Sequence, residues 1–162
     1  MIFKLTGVFF IVSACGFAGI LKSKELYSRI RFCDNLIAFF QHFSALIRCS
    51  SYNLEEIIHC LDNDNLSFIK FFFTIDDSFC FYDKWKKSVI ENVYLSEEKE
   101  ILLSVGKELG TTDIEGQTKL ISYTIERLTQ LRKTHSENYN RLGKVYRSTG
   151  FLFGFMLGIV II

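Results

Sequence analysis

The sequence predicts an all-α fold: an antiparallel helical bundle with a transmembrane helix at each end of the chain. Three observations carry that expectation. Proline is absent from all 162 residues, so no ring interrupts a helix interior. Apolar residues recur at alternating three- and four-residue spacing, the period of one helix face. The chain also opens and closes on uncharged apolar stretches, residues 5–21 and 148–162, with 126 mostly polar residues between them. The expected organisation is an N-terminal transmembrane helix at 1–21, a cytoplasmic helical-bundle domain at 22–147 and a C-terminal transmembrane helix at 148–162.

Taken in order, the first apolar stretch gives roughly 26 Å of helix, against about 30 Å of hydrocarbon, and the last gives roughly 23 Å. Snorkelling by Lys4, Lys22 and Arg147, with Tyr146 at the interface, narrows the deficit. Val12-Ser13-Ala14-Cys15 resembles a lipoprotein cleavage box, yet the apolar run continues for six residues beyond Cys15. A lipidated mature protein normally turns polar there. Near the membrane ends the middle domain carries Lys22, Lys24, Arg29, Arg31, Arg132, Lys133, Arg141, Lys144 and Arg147, against Lys4 alone outside. Nine against one places the domain in the cytoplasm and both termini outside, a two-pass arrangement.

Leu26, Ile30, Cys33, Ile37, Phe40, Phe43 and Ile47 paint one stripe, so the first helix should run unbroken to about residue 48. Residues 50–53 then break it, and Asn53 with Glu56 predicts a capping box for a short helix to about residue 61. The acids at 62–65 resemble the start of a calcium loop, but Ser67 and Phe73 stand where glycine and the bidentate glutamate belong. Residues 66–75 read as a core helix, and 79–93 as a helix with Trp85, Val89 and Val93 on one face. Ser96, backed by Glu97 and Glu98, starts the next helix, which Gly110 should end in the left-handed conformation. Thr112 and Glu115 predict a second capping box. From Asp113 onward, Ile121, Ile125, Leu128, Leu131, His135, Tyr139, Leu142 and Tyr146 hold one seam. The two end helices should therefore lie side by side and antiparallel.

The chemistry is sparse. His42, His59 and His135 fall in separate segments, and His59-Cys60 is a poor chelate because adjacent helical residues diverge. There is no phosphate-binding glycine loop, no nucleophile elbow and no zinc-protease helix. Glu55/Glu56 and Glu97/Glu98 read as solvated carboxylates, and His135 as a packed seam residue. No catalytic residue, metal site or cofactor is expected, so the chain does not read as an enzyme. A net charge of +1 opposes a nucleic-acid surface. Five scattered cysteines without a C-x-x-C pair read as reduced thiols.

Two glycine arrangements remain as helix-packing or interface candidates. Gly150, Gly154 and Gly158 line one face of the tail so that another helix can approach, and Gly7, Ala14 and Ala18 offer a matching face on the first segment. Gly106, Leu109 and Gly110 combine close packing with a helix stop.

Residues 100–110 (EILLSVGKELG), followed by Asp113 and Gln117, resemble the signature of the stage III sporulation protein AB family, as do the apolar ends. The resemblance covers essentially the whole chain. It departs from the family at Asn53-Leu54, where Pro-Leu is usual, and in the Phe-rich stretch 68–82. It implies a membrane-anchored, non-enzymatic platform or adaptor in the sporulation channel complex between mother cell and forespore, in the cell membrane on the mother-cell side. The implied domain is similar to the cytoplasmic domain of type II secretion and type IV pilus platform proteins. Its implied partners are a cytoplasmic secretion-type ATPase, stage III sporulation protein AA, and other membrane proteins of that complex. The alternative is a structural membrane protein that oligomerises through the glycine-lined tail and has no ATPase partner.

Overall fold

The structure, a computed structural model, describes residues 2–49, 53–61, 66–76 and 78–161. Every regular element among them is a helix: α1 (Ile2–Cys49), α2 (Leu54–Cys60), α3 (Ser67–Phe72), α4 (Phe81–Asn92), α5 (Ser96–Glu108) and α6 (Ile114–Ile161). The all-α expectation is met. Among the described residues no helix is long and apolar enough to cross a membrane, so the fold does not itself establish the two end spans. The turn at 62–65 and residues 50–52 of the break at 50–53 lie outside the described residues.

The chain forms two compact units, one made of Met1–Arg31 with Arg132–Ile162 and the other of Phe32–Leu131. The second unit is built on aromatic packing. Phe39, Phe40, Phe43, Phe68, Phe72 and Trp85 are all essentially buried. The Phe68 and Trp85 rings meet edge to face at 5.5 Å, and Phe39 reaches Phe68 at 6.4 Å, separations at which aromatic pairs attract beyond their area burial. α4 packs against both α3 and α5. The Ser88 hydroxyl closes the α3 contact by donating to the Phe68 carbonyl.

Local sequence explains most element ends. Asn53 caps α2 in the expected box, its side chain held against the first turn while Glu56 accepts from the Asn53 N–H at 3.0 Å. α5 ends at Leu109, and Gly110 takes φ +81°, the left-handed region that a Cβ disfavours. α5 begins at Ser96, where a start was expected, with Leu95 as its N-cap and no side-chain cap bond. Two other starts differ from expectation. α6 is capped by Asp113, whose Oδ1 accepts from the Gly116 N–H at 3.0 Å. The Thr112/Glu115 box does not form, because the helix starts at Ile114, one residue too late for Thr112 to cap it. α4 likewise starts at Phe81, leaving Phe79 outside the helix and half exposed.

The first unit pairs the outer part of α1 with the outer part of α6. The Tyr27 and Tyr139 rings lie 5.6 Å apart, and a Cβ built on Gly143 would stand 3.3 Å from Ser23 Oγ. As the α1 number rises by four from Ser23 to Tyr27, the α6 number falls by four from Gly143 to Tyr139. The two helices are antiparallel, as the seam predicted.

Candidate functional site

In the second unit the site candidates converge on the C-terminal half of α5. Gly106 is buried, and a Cβ there would lie 2.1 Å from Cδ1 and 2.4 Å from Nε1 of Trp85. Only a glycine lets the indole lie flat against the α5 backbone. The same indole N–H donates to the Leu102 carbonyl at 2.7 Å, one turn before Gly106. Leu109 is buried in the same core. A Cβ on Gly110 would meet Leu54 Cδ1 at 2.8 Å, so the helix stop also abuts the start of α2. Asp113 caps α6, and Gln117 Nε2 ties back to the Thr112 carbonyl at 3.0 Å. The stretch from Gly106 to Gln117 thus sets one ring stack, one helix stop and one helix start.

Two charged groups are buried where sequence reasoning expected solvent or said nothing. Glu98 is almost fully buried and accepts a hydrogen bond from the Cys33 thiol at 3.6 Å. It sits on the inward face of α5 with Leu102 and Val105, four and seven residues on, and so it is not the solvated first-turn acid expected. Lys84 is buried on α4. Its ammonium lies 3.4 Å from Glu55 Oε1 and 5.9 Å from the Phe72 ring centroid, so a carboxylate and a π face replace part of its lost hydration. The spacing from Lys84 to Ser88, both inward and one turn apart, was the available signal. An open groove of about 680 Å³ is lined by Arg48, Ile114, Glu115, Thr118 and Lys119, with both signs of charge on its rim.

In the first unit the packed face of α1 is not the one expected. Gly7, Ala14 and Ala18 are exposed, and a Cβ on Gly7 would meet nothing within 4 Å. The buried positions are Gly16, Ser23 and Ile30, seven residues apart, opposite buried Gly143. The register fixed by Ser23 and Tyr27 rotates the small-residue face by about half a turn from the expected one, and brings Gly16 to the level of Gly150, which is half-buried. Gly154 and Gly158 belong to α6, but their surroundings lie outside the described residues. Tyr146, expected on the seam, is 37% exposed, and Val145, Leu152, Phe153 and Met156 on α6 and Phe17 and Leu21 on α1 are more than half exposed. His135 is half-buried.

Charge is divided as sharply as polarity. The first unit holds ten Lys and Arg against two acids, net +8. The second holds nine against sixteen, net −7. Glu25 bridges two of the cations, accepting from Lys22 at 2.6 Å and lying 3.5 Å from Arg29. The Lys22 hydrogen bond, and then its charge, hold the Glu25 carboxyl below its usual value.

An all-helical protein with an antiparallel helix pair and an aromatic-cored helical unit is the class these features define. No curated protein and no solved structure matches the chain. A family does: residues 4–162 match stage III sporulation protein AB, and the chain belongs to that family. A role in sporulation follows from the membership.

Proposed function

We propose that this chain is a non-enzymatic adaptor of the sporulation channel complex, held in the mother-cell membrane by residues 1–21 and 148–162, with residues 22–147 cytoplasmic. The adaptor docks stage III sporulation protein AA, the ATPase of that complex, and leaves nucleotide hydrolysis to it. The observation that carries the reading is the inverted polarity of the α1/α6 pair. Phe17, Leu21, Leu152, Phe153 and Met156 face outward, while Gly16, Ser23 and Gly143 fill the seam. A helix pair standing in water would bury the large apolar side chains and expose the small ones. In lipid the preference reverses, because acyl chains solvate Leu and Phe while small residues let backbones approach. The uncharged runs at 5–21 and 148–162 are the sequence counterpart of this polarity.

The acidic second unit suits a protein partner with a basic face, since complementary charge speeds and orients encounter. Co-purification tests the reading. Full-length chain extracted in mild detergent is expected to bring down the ATPase in fixed ratio, with recovery falling as salt rises. Recovery of the chain with itself alone would favour the structural oligomer instead. Alkaline carbonate extraction tests the anchoring separately, and release of the chain to the supernatant would refute it.

A further inference from the structure

We draw no further inference here: the strongest candidate, the Cys33 thiol and Glu98 carboxylate buried together in the aromatic-cored unit, supplies two ligand atoms within that unit, too few to hold a metal ion, and the hydrogen bond from one to the other at 3.6 Å already accounts for the pair.

Discussion

Gly106→Ala is the sharpest test of the α4/α5 packing. The substitution removes a helix-interior glycine, which by itself favours the helix by about 1 kcal/mol. The structure argues that packing reverses the sign. The new methyl would sit 2.1 Å from Trp85 Cδ1, well inside contact distance, and the indole is fully buried between Phe68 and Phe81 with no side free to yield. Overpacking of this kind costs about 1–3 kcal/mol. If the indole moves, its N–H leaves the Leu102 carbonyl, now 2.7 Å away, and an unsatisfied buried donor costs about 1–3 kcal/mol more. Against the propensity gain, the net loss is about 3 kcal/mol, which for a chain of this length corresponds to a fall of about 6–12 °C in Tm. Thermal unfolding of the full chain in detergent, followed by circular dichroism, measures it. Introducing Trp85→Leu into the Gly106→Ala background should cost much less than the two single losses combined, because the clash then has no partner. A Gly106→Ala protein as stable as the parent would show that the indole does not lie on the α5 backbone.

Other outcomes follow from the same geometry. Asp113→Ala should cost about 1 kcal/mol in chemical denaturation, since it leaves the Gly116 N–H without the Asp113 Oδ1 it donates to, whereas Thr112→Ala should cost less; the reverse order would restore the Thr112 cap. Gly110→Ala should cost about 1–2 kcal/mol because its φ of +81° is strained for any residue with a Cβ. In a chain whose five native cysteines are replaced, Ser23→Cys with Gly143→Cys should form a disulfide under mild oxidation while Gly7→Cys with Gly143→Cys should not, as read on a non-reducing gel. For Glu25, whose carboxyl is lowered from 4.5, the stabilising contact with Lys22 is fully present above pH 4.5 and is lost as pH falls through the lower folded value. An NMR titration should place its midpoint below 4.5 and return it toward 4.5 in Lys22→Met; a midpoint indifferent to that change would refute the pairing.

Helix content was legible because it depends on local terms the sequence states directly: apolar period, the Asn53/Glu56 box, and a glycine where a left-handed residue is needed. The start of α6, expected at Thr112 and found with Asp113 as the cap, depends on a competition between neighbours. Asp113 and Thr112 can both accept from a first-turn N–H, and one residue of register decides between them. The packing candidates divide in the same way. Gly106 and Gly110 were visible as glycines but not as partners of Trp85 and Leu54, which lie 21 and 56 residues away in sequence. The buried Glu98 escaped notice because its type and its first-turn position both suggest solvent. Only its i, i+4, i+7 relation to Leu102 and Val105 places it inward.

The packed face of α1 was misread for a reason that bears on function. Gly7, Ala14 and Ala18 looked like an interface because small residues mark close approach in lipid, but so do Gly16 and Ser23, and a helix with small residues on two faces does not reveal which one meets its neighbour. The tyrosine pair decides it: once Tyr27 lies against Tyr139, Ser23 must face Gly143 and Gly16 must face inward. That choice leaves Phe17, Leu21, Lys22 and Lys24 exposed. The whole-chain charge of +1 conceals a division between the units. It averages a unit of +8 with one of −7, two opposite fields that would attract counterparts of opposite charge. Under the proposed adaptor reading such a division is an advantage, because neither unit then competes for the other's ligand.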